Sequence, residues 1–418
     1  MDESVYRFAE FALSPGGRRL SLAGVSVALP PKTFDALCLL VRKRGELVAK
    51  EEFLRTLWPG VYVTEANLTN IVVDLRKLLG KEAVQTVAKF GYRFTLPVAG
   101  EAGIDQAAYE SFVRGKELMA ERSLESIQRA RDLFMICVAA DPQFAKGWAW
   151  LGRASRVLEK FKGDRPLTPN VAVAAFQRAF AIDPDSACAH NFYTQLQVDT
   201  GQGMQAMNRL AARIKTRGED AETLAGLVQV LRCCGMLEES VAAHRKAKAL
   251  DPTVKTSVAH TVFLQCDYAS VFEHYVGKQY YLDVAAWVAM GQRERGLTLL
   301  RVRIAEQPEL GPWMSALMGS LLAVLEGRRE DALRLVERAR SVYEPEGVFY
   351  FARHCGMLNE AASAVELIGR ARREGFWSSE TLERDSAFDG VRSGVEFQAE
   401  IAEAKGMEAR ARAEFEMV

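Results

Sequence analysis

Three segments of the chain end in the same way: Cys137-Val-Ala-Ala-Asp-Pro142, Ala179-Phe-Ala-Ile-Asp-Pro184 and Ala247-Lys-Ala-Leu-Asp-Pro252. Pro184 and Pro252 stand 68 residues apart. Small and large apolar residues precede the first two at the spacing of a packed helix (Ala130, Phe134 and Cys137; Ala172, Phe176 and Ala179). A unit repeated at a fixed period cannot bury its apolar face alone, so copies must stack into one continuous core. Glycines at Gly201, Gly235, Gly291, Gly327 and Gly356 mark expected turns between helices, and four of them precede a helix start that contains acidic residues. This periodicity governs about three quarters of the chain and excludes a single globular core.

Trp148, Leu151 and Gly152 follow Pro142. With the Ala, Phe and Pro positions above, they resemble the tetratricopeptide pattern, whose period is 34 residues. An all-α tetratricopeptide-like helical solenoid is therefore expected over residues 108–375, with about six or seven repeats. An insertion is expected around Lys162 to Pro169, irregular chain over 255–276, and a C-terminal helical cap over 376–418. Arrays of this kind bind proteins along a concave surface or pack on themselves, so a protein partner or a homodimer is expected. One sequence does not identify the groove residues.

Residues 1–97 differ in character. Val5 to Leu13 and Arg18 to Leu29 flank the turn signal Ser14-Pro15-Gly16-Gly17 and suggest a small antiparallel sheet. Pro31 opens an amphipathic helix that ends at Gly45. A short strand, Glu46 to Val48, and a second helix, Lys50 to Trp58, follow. Thr64 can cap a third helix running to Gly80, and a hairpin turns around Lys89-Phe90-Gly91. The third helix repeats Leu68, Ile71, Val72, Leu75, Leu78 and Leu79 on one face. Its opposite face holds Ala66, Asn70, Val73 and Lys77, flanked by Asn67, Thr69, Asp74 and Arg76. Amides, a hydroxyl and cations without a bulky apolar residue suit a DNA major groove, although an ordinary solvated face has the same periodicity. Residues 1–97 carry 14 Lys/Arg against 10 Asp/Glu; the remainder carries 40 against 44. A basic first domain suits a phosphate backbone.

Leu68 to Gly80, Gln85-Thr86-Val87 and Gly91-Tyr92-Arg93-Phe94 resemble the OmpR/PhoB-type winged helix-turn-helix. The Glu65-to-Asn70 start and the Lys89-to-Phe94 wing are nearest its CadC/HilA-like branch. The resemblance covers about residues 5–97 and implies an α+β winged helix domain that binds double-stranded DNA, joined by a linker, 98–107, to the array. By position it implies Asn67, Asn70, Val73 and Asp74 on the base-facing side. It places Arg76, Lys77, Trp58, Thr86 and Tyr92 at backbone-contacting positions, and Lys89 and Arg93 in the wing. Many relatives have Arg where this chain has Val73, Asp74 and Ala88, so cationic base readers are lost and affinity should depend on dimerisation or a partner. Asp74 either accepts from a cytosine amino group or pairs with a neighbouring Lys.

The expected function is DNA-binding transcription regulation, with the array supplying partner binding, oligomerisation or signal input. The alternative is a repeat-scaffold adaptor that does not bind DNA. No enzyme is expected. The five histidines are dispersed, and phosphate-loop, dinucleotide and nucleophile-elbow motifs are absent. The seven cysteines form no C-x-x-C pair, so neither metal nor cofactor is expected, and Cys233-Cys234 is the one pair worth testing for redox behaviour. No apolar run is long enough to span a membrane, and the N-terminus lacks signal-peptide character, so a cytoplasmic location is expected.

Overall fold

The computed structural model describes residues 6–15, 17–22, 25–43, 45–59, 63–96, 98, 106–121, 123–162, 171–275, 281–306, 311–338 and 344–417. The chain divides into two compact units, residues 1–113 with 136–144, and residues 114–135 with 145–418.

In the first unit, strands β1 (Tyr6–Phe8), β2 (Phe11–Ser14), β3 (Arg19–Leu22) and β4 (Val25–Val27) form an antiparallel meander in chain order. Leu13 lies opposite both Tyr6 and Leu20, and these alternate residues are buried. The two apolar stretches read from the sequence are thus four short strands. Helix α1 (Pro31–Arg42) has proline in its first turn, where the missing N–H costs nothing, and buries Phe34, Leu37, Leu40 and Val41. Strand β5 (Leu47–Ala49), α2 (Lys50–Leu57) and α3 (Glu65–Leu79) follow, then β6 (Val84–Val87) and β7 (Gly91–Phe94). The second sheet has the order β5-β7-β6, antiparallel throughout. Leu68, Ile71, Val72 and Leu75 of α3 join the core, with Leu78 and Leu79 half-buried against it. Thr64 does stand at the N-cap of α3, but its side chain makes no cap hydrogen bond.

Helices α4 (Gln106–Glu121) and α5 (Leu124–Ala140) precede a run of helix pairs. These are α6 (Ala145–Lys162) with α7 (Val171–Ile182), α8 (Ala187–Asp199) with α9 (Gly203–Arg217), and α10 (Ala221–Cys233) with α11 (Leu237–Leu250). Next come α12 (Val258–Leu264) with α13 (Tyr268–His274), and α14 (Leu282–Ala289) with α15 (Arg293–Glu306). The series ends with α16 (Pro312–Leu325) and α17 (Arg329–Val336), then α18 (Pro345–Met357) and α19 (Ala361–Arg373). Counting α4 with α5, eight pairs are seen among the described residues, more than the six or seven expected. The segment expected to be irregular contains α12 and α13, each seven residues, too short to display a helical period. Most of the expected insertion, residues 163–170, lies outside the described residues.

Gly201, Gly235, Gly291 and Gly327 do sit at turns, all with positive φ. Gly356 does not: it lies inside α18, and the left-handed residue at that turn is Asn359, with φ 58°. A Cβ on Gly356 would come 2.4 Å from the carbonyl oxygen of Ala387, so this glycine makes room for the C-terminal segment.

That segment comprises α20 (Ser379–Arg384), a 3-10 turn (Ser386–Phe388) and α21 (Val395–Met417). It is not confined to the end of the array. The backbone N–H of Trp377 donates to the Cys233 carbonyl at 3.1 Å, and Thr381 Oγ1 donates to the Leu264 carbonyl at 2.7 Å. Helix α21 also packs on α9, where Asn208 Nδ2 donates to Glu414 Oε2 at 3.0 Å. On the other side α6 packs on α16, and Lys160 Nζ lies 2.5 Å from Glu344 Oε1. The second unit is a solenoid folded back on itself. Helices α10, α12 and α18 are consequently buried on nearly every face.

Candidate nucleic-acid interface

Helix α3 divides cleanly into two faces. Opposite its core side, Ala66, Asn67, Thr69, Asn70, Val73, Asp74 and Lys77 are all exposed. Val73 is 40% exposed and is the one sizeable apolar group on that face. Lys77 Nζ lies 3.4 Å from Asp74 Oδ1, the neighbouring-cation geometry, with both side chains more than half exposed. Thr69 Oγ1 donates back to the Glu65 carbonyl at 3.1 Å, which fixes its rotamer. The first turn of α3 is tied to α2 by Lys50 Nζ, 2.5 Å from Glu65 Oε2; that carboxylate holds the Lys50 ammonium above its ordinary pKa.

The wing is built against this helix. Val84 and Val87 turn inward, whereas Gln85 and Thr86 are exposed. Lys89 occupies the tip with φ 70° and an exposed side chain. Gly91 follows because no other residue fits: a Cβ there would come 2.0 Å from the Val48 carbonyl oxygen across the β5–β7 pair. Arg93, half-buried on β7, lies between Gln85 and Leu47 in the two pairings.

Three more of the anticipated residues, besides the half-buried Arg93, face inward in part. Tyr92 is buried, its ring edge-on to Phe53 with centroids 6.0 Å apart. Trp58 is half-buried against the core at the end of α2. Arg76 is also half-buried, and its guanidinium turns to the wing: Nε and Nη2 donate to the Val84 carbonyl at 2.8 and 2.6 Å, and Nη2 donates to Thr86 Oγ1 at 2.7 Å. Periodicity placed Arg76 at the edge of the outer face. It could not reveal the carbonyl waiting there, because edge-strand position is a tertiary property. The Lys50 link to Glu65 was likewise outside the sequence reading.

Among the described residues no cluster of three or more His, Cys, Asp or Glu could hold a metal ion. His274 packs edge-on to His244 with centroids 5.1 Å apart. Cys233 and Cys234, the pair singled out for redox testing, are both fully buried, and burial pushes both thiols up, Cys234 to about 12, which disfavours the reactive thiolate. No helix among the described residues is long and apolar enough to cross a membrane.

Residues 24–94 match the family described as transcriptional regulatory protein, C terminal. Transcriptional regulator HilA of Salmonella typhimurium (strain LT2) is 33% identical over 95 residues, which are 22% of this chain and 17% of HilA. The chain therefore spans less than a fifth of that relative's length. The solved DNA-binding domain of E. coli CadC is 26% identical and aligns over 24% of this chain and 100% of its own, with a TM-score of 0.22. The crystal structure of the APC/C hetero-tetramer Cut9-Hcn1 is 11% identical over 83% of this chain and 79% of its own, with a TM-score of 0.39. The N-terminal region of this chain carries a transcriptional-regulator domain of the OmpR/PhoB type, and a tetratricopeptide-like helical array follows it.

Proposed function

We propose that the chain is a DNA-binding transcription regulator of the cytoplasm, without catalytic activity, that lays α3 in a major groove and its Lys89 wing on the adjacent backbone or minor groove. One observation carries this reading. The outer face of α3 is exposed along its whole length, with Asn67, Thr69, Asn70 and Lys77 on it and the exposed Thr86 bonded to Arg76 at its edge. Short polar side chains approach base edges, while the cations meet phosphates. The DNA-binding domain of CadC and the regulator HilA support the same assignment. The array is the part that receives a protein partner or a second copy of the chain.

Binding of the full chain to a duplex, followed against salt, tests this reading. Phosphate contacts release counterions, so affinity should fall steeply between roughly 50 and 200 mM salt. A flat response, or no binding at low salt, would favour the adaptor that uses its winged helix for protein contacts alone.

A further inference from the structure

Strand β6 is the outer strand of its sheet, so among the described residues one of its edges has no strand neighbour. The carbonyls on such an edge need another donor. Arg76 supplies it. Two nitrogens of one planar guanidinium converge on the Val84 carbonyl, and one of them also reaches the Thr86 hydroxyl. A guanidinium holds its donors in a fixed fork, which the single ammonium of lysine cannot reproduce. The opposite flank of the hairpin is fixed as well. The backbone N–H of Lys50 donates to the Phe90 carbonyl at 2.9 Å, and Gly91 packs on Val48.

We infer that Arg76 is a positioning residue, a strut that sets the spacing between the recognition helix and the wing, and that it does not read phosphate. The inference rests on the DNA-binding reading of the same surface. Two consequences follow from the chemistry. Thr86 has one hydroxyl proton, and because its oxygen accepts from Arg76, that proton is left to donate to an anionic oxygen outside. Lys77 at the end of the helix and Lys89 at the hairpin tip are both exposed. A charge spent on holding the wing contributes to affinity through geometry, at every salt concentration alike. A charge placed on a phosphate contributes through counterion release.

The two roles separate by salt titration of the full chain with a short fluorescein-labelled mixed-sequence duplex. Arg76→Lys and Arg76→Ala should each lose about tenfold in affinity at every salt concentration, with the wild-type slope retained. Lys77→Ala, the phosphate-reading control, should reduce that slope by about 0.9. Wild-type affinity in Arg76→Lys, or a slope in Arg76→Ala reduced as far as in Lys77→Ala, would overturn the inference. Hydrogen exchange on the same DNA-free proteins gives an independent readout: exchange in Arg76→Lys should accelerate over residues 84–91 and stay unchanged in the array. Unchanged exchange at the hairpin also overturns the strut. If the wild-type chain shows no salt-dependent binding, the DNA reading fails, while the exchange measurement still decides whether Arg76 holds the wing.

Discussion

The array contains fully buried ion pairs, whereas the described pairs of the winged helix all keep contact with solvent. Beside the surface pairs of the array, Arg232 Nη2 meets Glu346 Oε2 at 2.9 Å with the side chains 2% and 7% exposed, and Arg353 Nε meets Asp385 Oδ2 at 2.5 Å with both essentially buried. Arg156 and Asp199 form a third such pair at 2.5 Å. On α3 the pair Lys77–Asp74 stands in solvent, with side chains 73% and 51% exposed. An inward pair has lost its water and needs its partner, so it favours one arrangement of helices over any other that would separate the charges. An outward pair is worth little to stability, and its members can exchange partners with a ligand. The buried pairs of the array therefore favour its own closure, whereas the exposed pair on α3 leaves its charges accessible, as the proposed DNA contact requires.

If this contrast holds, the largest effect of any single substitution should come from the array's interior. Arg353→Ala leaves the Asp385 carboxylate buried without its cation, and it also removes a guanidinium seated 4.6 Å from the centroid of Phe263. The expected cost is about 3–5 kcal/mol, read as a lowered thermal midpoint for the array. A loss of under about 1 kcal/mol, the value of a surface pair, would erase the distinction between the units.

Acid should sharpen the same contrast with a somewhat smaller effect. His354 is fully buried, with Nε2 2.9 Å from Tyr281 Oη and Nδ1 2.7 Å from Ser320 Oγ. Burial first, and Arg353 second, lower its pKa from 6.5 to about 3. Between those values the unfolded chain binds a proton that the folded chain refuses, so stability is complete above 6.5 and declines as pH falls. About 3 kcal/mol should be lost from this residue by roughly pH 4.5. Denaturant unfolding of wild type and His354→Gln across that range measures it, and equal pH slopes in the two proteins would refute the assignment.

Legibility in the sequence follows the same division. In the winged helix the core stripe of α3, its outer face and the β6–β7 hairpin are set by residues close along the chain, so all three could be read from spacing. In the array, spacing found the long pairs and missed α12 and α13, whose seven residues hold fewer than two full turns. It also took Gly356 for a turn, because a glycine that admits a distant carbonyl looks like one that admits a positive φ. The return of α21 to α9 rests on pairs such as Asn208 with Glu414, about two hundred residues apart, which no periodicity encodes. Within the first unit Arg76 and the Lys50–Glu65 link escaped for the same reason: each partner lies on a different element.

On the outward side the effects should be smaller and should appear in binding. Asn70 stands exposed in the middle of the α3 face. An amide paired with a base edge is worth about 1–3 kcal/mol of discrimination, so Asn70→Ala should lose about tenfold at the preferred site and relax sequence choice. Selection from a randomised duplex pool checks it, and an unchanged preferred site would mean that α3 is rotated relative to the groove.

The smallest effect expected is also the one that decides between the two readings of Asp74. Its carboxylate lies 3.4 Å from Lys77 Nζ on the face proposed to meet DNA. As a mere partner of Lys77 it adds repulsion toward phosphate and draws Lys77 aside. Asp74→Asn should then raise affinity at low salt about threefold, by under 1 kcal/mol, and steepen the salt slope, with the preferred sequence unchanged. As an acceptor from a cytosine amino group it would act in the other direction: the substitution would lose affinity for one sequence and leave the others as they were. Since both members of the pair are more than half exposed, the substitution should not disturb folding, and the sign of the affinity change alone separates the alternatives.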